Sequence, residues 1–475
     1  MTGAFASPCD RAVVATAPAP AIDCSPGAAR WTLVATILGS SLAFIDSTVV
    51  TVSLPALAHQ FSANAAAVQW VVVGYTLPLS ALVLTGGAFS DRFGPRRVFT
   101  IGVVLFAIAS AFCGAAQSLP QLLATRVAQG AAAALLVPSS LALLGSSFTD
   151  VDRGRAIGTW SAFASLTGAI GPLVGGWLID HWSWRLAFLI NLPIAAATLA
   201  IVAARVPAPA TRPDGGGRID VSGAVAISVA LGALAAALTL SSADGGNRPF
   251  PAIAGALGVA ALAAFLAIES RTRNPMMPLG VWRSSTFSGL NALTFVIYAA
   301  TSMLMFELPI YLIEIRGYTA TAAAAVMLPV VAEIFLLSRF TGAWAARAGP
   351  RTPLTLGSVL VAGGCALLAA RDDVLPGLLT LGLGMAMIVA PLTTAVMASL
   401  DTGHAGLASG INNAVARVAG LLGVAALGLI THARSAYELA AAFHRVMMAA
   451  AILAAIGAAI LTFTVAPQRS SKRVE

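Results

Sequence analysis

From Trp31 to Val465 the chain is an almost unbroken succession of apolar runs separated by short breaks of Arg, Pro and Gly. A hydrocarbon core about 30 Å thick is crossed by roughly 20 residues of helix at 1.5 Å per residue, and each run is long enough to do so. Only 10% of the 475 residues are charged and 58% are hydrophobic. A soluble domain carries about 25% charged residues, so an ordinary soluble fold is excluded. Where water is absent the backbone must bond to itself, and long apolar runs meet that demand as helices. The expected class is therefore an all-α integral membrane protein.

Apolar runs read against charged or Pro/Gly breaks give about fourteen spans: 31–53, 68–89, 98–117, 121–145, 156–178, 185–204, 219–240, 250–269, 286–311, 319–340, 353–369, 374–398, 406–431 and 443–464. An even number places both termini on one side. One set of loops and both tails hold Arg11, Arg30, Arg92, Arg96, Arg97, Arg153, Arg155, Arg205, Arg212, Arg218, Arg271, Arg273, Arg283, Arg339, Arg347, Arg351, Arg469, Lys472 and Arg473. The other side has Arg185, Arg248, Arg316, Arg371, Arg434 and Arg445, which is nineteen cations against six. Short loops rich in Arg and Lys stay in the cytoplasm, so both termini are expected there. Arg126 and Arg417 fall inside spans.

The net charge of +8 comes from isolated arginines between apolar runs, not from a basic stripe interleaved with aromatics, and no nucleic acid is implied. Cys9, Cys24, Cys113 and Cys365 show no metal spacing or disulfide framework, and the five histidines are likewise scattered. Asp372-Asp373 lacks the repeated acidic pattern of a Mg²⁺-diphosphate site, and no phosphate-binding loop of the Walker type is present. No cofactor or metal is expected, and ATP is not expected to drive the protein directly. The stretch before Trp31 is rich in Ala and Pro, and its longest apolar stretch, Ala12 to Ala15, is too short for a signal-peptide core. It reads as a disordered tail.

A weak internal repeat divides the chain: Gly87-Ala-Phe-Ser-Asp91-Arg92-Phe-Gly94-Pro-Arg96-Arg97 after the second span returns as Gly342-Ala-Trp-Ala-Ala346-Arg347-Ala-Gly349-Pro-Arg351 after the tenth. Repeated halves are a recurrent transporter design. Residues 205–218, with Pro207, Pro209, Pro213 and Gly215 to Gly217, form the clearest linker. The expected organisation is a tail at 1–30, a six-helix bundle at 31–204, a linker with two extra spans at 205–285, a second six-helix bundle at 286–465 and a tail at 466–475.

Several stretches carry chemistry. In the first repeat a Gly-containing turn joins two helices, and Asp91 is placed to engage nearby arginines or a helix N-terminus and latch one state; Ala346 stands at its place in the second copy. The fourth span reads Thr125-Arg126-Val-Ala-Gln129-Gly130. A charge deep in a bilayer costs about 2.5–3.5 kcal/mol on insertion scales, so Arg126 faces a partner or cavity unless it snorkels to the outer interface. In the fifth span Gly158 precedes Thr167-Gly168-Ala-Ile-Gly171-Pro172-Leu-Val-Gly175-Gly176, where small residues permit close helix approach and Pro172 a bend. Asp46 stands midway along the first span. A carboxyl group in a low-dielectric site is a natural proton carrier, with a structural hydrogen bond as the alternative role.

These stretches resemble the major facilitator superfamily, and within it the fourteen-span drug:proton antiporters of the DHA2 type. The resemblance covers nearly everything after residue 30. It extends to Phe44-Ile-Asp46-Ser-Thr-Val-Val-Thr-Val-Ser-Leu-Pro55, Trp184-Arg185 with Asn191-Leu-Pro193, Pro309-Ile-Tyr311 with Arg316-Gly317-Tyr318, and Ser409-Gly410-Ile-Asn412-Asn413 with Arg417 and Gly420. Departures are Thr167 for the family's usual Gly, Ile313 for a frequent Gln, and Ala346. The resemblance implies two six-helix bundles plus two central helices, working by alternating access in a bacterial cytoplasmic membrane. It assigns proton coupling to Asp46 and Arg126, gating to Gly87, Asp91, Arg92, Gly94 and Arg97, and an antiporter motif to Gly158, Gly171, Pro172, Gly175 and Gly176. Glu333, Glu307, Arg417, Asn412 and Asn413 are the substrate-cavity candidates.

The expected function is proton-coupled efflux of hydrophobic drugs or toxic compounds, cations among them. The expected partners are protons, a small-molecule substrate and the lipid bilayer; nothing in the sequence identifies a periplasmic adaptor. The alternatives are a narrow exporter of one endogenous metabolite on the same fold, and a membrane-embedded enzyme, for which no clustered catalytic constellation is found.

Overall fold

Each of the fourteen apolar runs is a helix in the computed structural model, which describes residues 28–148, 150–207, 220–240, 249–272, 275, 277–400, 405–430 and 436–464. In chain order they are α1 (Ala28–Phe61), α2 (Ala65–Phe93), α3 (Pro95–Ala115), α4 (Leu119–Ser147), α5 (Asp150–His181), α6 (Leu186–Arg205, interrupted at Ile190), α7 (Val221–Leu240) and α8 (Phe250–Arg271). They continue with α9 (Ser285–Ile310, running into a π-helical turn, Tyr311–Ile315), α10 (Ala320–Val326 and Leu328–Ala348), α11 (Arg351–Ala370), α12 (Leu375–Ala398), α13 (Ala405–Ala426) and α14 (Ala436–Thr464). Among the described residues twelve of these are long and apolar enough to cross a membrane. The other two, α2 and α5, are 29 and 32 residues long. The chain is a multi-pass membrane protein. Both tail expectations fall outside the described residues, apart from Ala28 to Arg30, as does most of the linker, including Pro209, Pro213 and Gly215 to Gly217.

The chain divides into two compact units, 1–228 and 229–475. Inside the first, α2 and α3 pack on α4, α1 on α4, α5 and α6, and α3 on α6. Inside the second, α10 and α11 pack on α12, α9 on α12, α13 and α14, and α11 on α14. The two lists are the same list shifted by eight helices. The weak sequence repeat thus extends to the packing of two whole bundles.

The repeat is sharpest at the turns. Sequence reading places Gly87 to Arg97 in a loop, yet α2 stays helical through Phe93 and α3 begins at Pro95. At 1.5 Å per residue α2 is about 44 Å long, so its last turns extend past a 30 Å core while still helical. The loop is Gly94 alone, with φ 87° and ψ 135°, and Gly349 repeats it with φ 84° and ψ 156°. Only glycine occupies this region without strain; the following Pro95 is the first residue of α3, and Pro350 caps α11. Gly94→Ala is expected to cost about 1–3 kcal/mol, read as a lower unfolding temperature in detergent.

Two residues further on, Arg96 donates from Nη2 to the Val202 carbonyl near the C-terminus of α6, at 3.0 Å. Arg351 does the same to the Thr462 carbonyl near the end of α14, at 3.1 Å. The last turn of a helix leaves carbonyls without internal partners, and a cation there also answers the helix dipole. Each bundle therefore ties its third helix to its sixth with an arginine that follows the Gly-Pro turn.

Candidate proton-coupling site

The hydroxyls of α1 near its middle are spent locally: Ser47 donates to the Phe44 carbonyl, Thr48 to Phe44 and Ile45, and Thr51 to Thr48. Asp46 instead reaches across to other helices and is fully buried. Its Oδ2 accepts from Arg126 Nη1 of α4 at 2.5 Å, and its Oδ1 accepts from Gln129 Nε2 at 2.8 Å and from Asn191 Nδ2 of α6 at 3.3 Å. Arg126 also donates to Gln129 Oε1 at 2.8 Å and, through Nε, to the Val71 carbonyl of α2 at 3.1 Å. Its guanidinium lies over the Tyr75 ring, 4.3 Å from the centroid, with Phe188 on another side at 5.7 Å. Arg126 is 1% exposed, so it does not snorkel to the interface; it turns inward.

A buried ion pair is tolerable when further hydrogen bonds satisfy both ions, and here α2, α4 and α6 supply them while α3 holds the supplying side chains in place. Ser110 of α3 accepts from Gln129 Nε2 and from Asn191 Nδ2, both at 2.9 Å. Cys113, on the same helix, donates toward Thr125 Oγ1 at 3.2 Å and Gln129 Oε1 at 3.4 Å. Tyr75 donates to the Ala43 carbonyl of α1 at 3.2 Å. Gln129, Ser110, Asn191, Tyr75 and Cys113 were not singled out for roles by the sequence. Gln129 had a signal, since it follows Arg126 by one helical turn and shares its face. Ser110 and Tyr75 had none.

The fifth-span glycines set how closely this site is approached. A Cβ on Gly171 would run into Thr48 Oγ1 and touch the Ile45 backbone, and one on Gly175 would run into the Val49 side chain. So α5 lies directly against the stretch of α1 that holds Asp46. Pro172 is half-buried inside α5 and Gly176 is buried, whereas Gly158 is exposed with nothing near its Cβ position.

The other candidates take separate positions. Gly87 lies half-buried in α2, Arg92 is exposed with its guanidinium over Phe93, Arg97 is exposed on α3, and the Asp91 side chain lies outside what the structure describes. In the second bundle Asn412 donates to Asn291 Oδ1 at 3.1 Å and Thr294 Oγ1 at 2.7 Å, clamping α13 to α9. Asn413 is exposed and donates back to the Ser409 carbonyl, and Arg417 is half-buried on α13. Glu307 is buried on α9, one turn before Tyr311. Glu333 sits on α10 against Gly382 of α12, with Oε2 buried and without a hydrogen-bond partner. Tyr75 and Pro78 meet Gly130 as Val330 and Glu333 meet Gly382, at the same residue spacing. Glu333 therefore occupies in its bundle the place that Pro78 holds beside the ion pair.

Residues 36–424 match the sequence profile of the Major Facilitator Superfamily. The chain belongs to that superfamily of transporters. Among its superfamily relatives are the multidrug resistance protein Stp of Mycobacterium tuberculosis strain CDC 1551, 33% identical over 84% of this chain and 75% of the relative. The methylenomycin A resistance protein of Bacillus subtilis strain 168 is 33% identical, over 88% of this chain and 91% of its own. The tetracenomycin C resistance and export protein of Streptomyces glaucescens is 33% identical over 85% and 76%. Solved superfamily folds match as well: a bacterial homologue of the human lysosomal transporter Spinster has a TM-score of 0.68 at 17% identity, over 93% of this chain and 97% of that one. The xylose transporter of E. coli gives 0.63 at 14% identity over the same shares, 93% and 97%.

Proposed function

We propose that this protein exports hydrophobic drugs or toxic compounds, cations among them, in exchange for protons entering through Asp46. The observation that carries the reading is the fully buried Asp46–Arg126 pair, formed between α1 and α4 and hydrogen-bonded by Val71 of α2, Gln129 of α4 and Asn191 of α6. A proton on Asp46 cancels one charge of the pair, so that Arg126 loses its counter-ion and is left with neutral oxygen partners, among them those of Gln129 and Val71. Loss of the proton restores the pair. Two such hydrogen-bonding states give the bundle a discrete element on which proton binding can act, and that is what coupling by alternating access requires. Relatives named for multidrug resistance, antibiotic resistance and export support this direction of transport. The same reading places the chain in a bacterial cytoplasmic membrane with both termini inside, as two six-helix bundles with α7 and α8 between them in sequence. Asp91, Arg92 and Arg97 then act at the cytoplasmic end of the first bundle.

Glu333 serves in this scheme to attract cationic substrates, since one of its carboxyl oxygens is buried without a hydrogen-bond partner among the described residues. Cells expressing the wild type are expected to accumulate less of a fluorescent cationic dye such as ethidium, and a protonophore or Asp46→Asn to abolish the difference. Unchanged accumulation would assign the chain instead to export of one endogenous metabolite. Glu333→Gln is expected to reduce efflux of the dye about tenfold, the loss of roughly 1.4 kcal/mol of binding, while resistance to an uncharged antibiotic is retained. Equal loss for charged and uncharged compounds would remove Glu333 from substrate recognition.

A further inference from the structure

Asn191 is the one partner of Asp46 that holds an acceptor in reserve. Its Nδ2 donates to Asp46 Oδ1 and Ser110 Oγ, but its Oδ1 is buried and has no hydrogen-bond partner among the described residues. Buried polar atoms are rarely left this way in a native structure, and an exception calls for a reason. The reason lies in what Asp46 needs in its second state. A protonated carboxyl is itself a donor, and it requires an acceptor that the ionised form did not.

The neighbours can be taken one at a time. Arg126 of α4 is a donor only. Gln129 has an amide oxygen, but Arg126 Nη1 and Cys113 Sγ already occupy it. Tyr75 of α2 donates to the Ala43 carbonyl, and α5 meets this part of α1 with Gly171 and Gly175. Arg126, Tyr75 and Cys113 are the charged or titratable groups that the described residues of α2, α3 and α4 bring to the site. Only Asn191 remains. Turning its amide by half a rotation exchanges Nδ2 and Oδ1, placing an acceptor where a donor now faces Asp46 Oδ1.

We propose that Asn191 is a positioning residue that serves both charge states of Asp46, donating to the carboxylate and accepting from the protonated carboxyl, and so carries its protonation to α6. This rests on the reading of Asp46 as the proton site. Asn191 is suited to the task by its place: it is the first residue after the interruption of α6 at Ile190. On the far side of that interruption Phe188 touches Arg126, and Arg185 donates to the Gly114 and Ala116 carbonyls at the end of α3. The stretch from Trp184 to Pro193 thereby joins both members of the ion pair to the C-terminal end of α3.

Infrared difference spectra of the purified full-length protein between high and low pH provide the test, since they require no substrate. A carboxyl stretch that appears at low pH and is lost in Asp46→Asn identifies the proton site. In protein carrying ¹³C-labelled asparagine, an amide carbonyl band is expected to shift along with it. In Asn191→Leu the carboxyl stretch is expected to move to higher frequency, as for a carboxyl without an acceptor, and the labelled amide band to vanish; Asn191→Ser, which keeps a donor and an acceptor, is expected to hold the carboxyl near its original frequency. A carboxyl band unchanged in Asn191→Leu, or no asparagine band in the labelled wild type, overturns the proposal for Asn191. The labelled wild type decides this even where the Leu variant fails to fold. Absence of any titrating band assignable to Asp46 instead overturns the underlying proton-site reading.

Discussion

Arg126→Leu is expected to destabilise the protein by about 3–5 kcal/mol, because it leaves the fully buried Asp46 carboxylate without its counter-ion. Asp46→Asn in the same chain removes the orphaned charge, and the double variant is expected to regain most of that stability. Buried ion pairs behave in this asymmetric way: breaking one costs far more than deleting both members, since attraction between the ions largely repays their own desolvation. Transport is expected to behave differently. Neither the single nor the double variant should drive uphill export: Arg126→Leu leaves Asp46 without the cation whose pairing alternates with the proton, and the double variant has no carboxyl to load. Thermal unfolding in detergent alongside proton-driven dye efflux in vesicles separates the two effects. A double variant as unstable as Arg126→Leu would mean that the packing of the guanidinium on Tyr75 and Phe188, not its charge, is what the bundle depends on.

The spans and their count were legible because hydrocarbon imposes a single demand, continuous apolar helix, and the chain meets it run by run. Helix ends were less legible. The C-terminal turns of α2 and α10 carry Asp91, Arg92 and Arg347, which read as loop by composition yet remain helical up to a glycine of positive φ. Asp46 and Arg126 were found because charge inside a span is costly and therefore rare. Which acid Arg126 would meet was not open to sequence reasoning, since Asp46 lies 80 residues away and Glu307 and Glu333 also stood inside spans. Asn191, Ser110 and Cys113 were hidden for a related reason: a small polar residue in an apolar run usually bonds to its own helix, as Thr48 and Ser47 do here. Only the fold shows which of them reach across.

Within the fifth-span motif the glycines should separate sharply. Gly158→Ala is expected to be silent, since its Cβ would enter open space, while Gly171→Ala and Gly175→Ala should each cost about 1–3 kcal/mol through overpacking against α1. The difference follows from what stands opposite. At Gly171 the new methyl group collides with the Thr48 hydroxyl, which is already bonded to the Phe44 and Ile45 carbonyls, while the Ile45 backbone stands at ordinary contact distance beside it. Relief requires either that Thr48 give up those bonds and turn away or that α1 move. Ile45 immediately precedes Asp46, and a displacement of α1 there also lengthens the 2.5 Å contact with Arg126. Gly171→Ala is therefore expected to lower proton-coupled efflux more than its loss of stability accounts for. At Gly175 the obstacle is the Val49 side chain, one turn further from Asp46, and Val49→Ala should relieve it. Measured as efflux rate per folded molecule, rescue of Gly175→Ala by Val49→Ala without rescue of Gly171→Ala is the expected pattern. If Gly158→Ala were as damaging as Gly171→Ala, the motif would act through something other than the contact of α5 with α1.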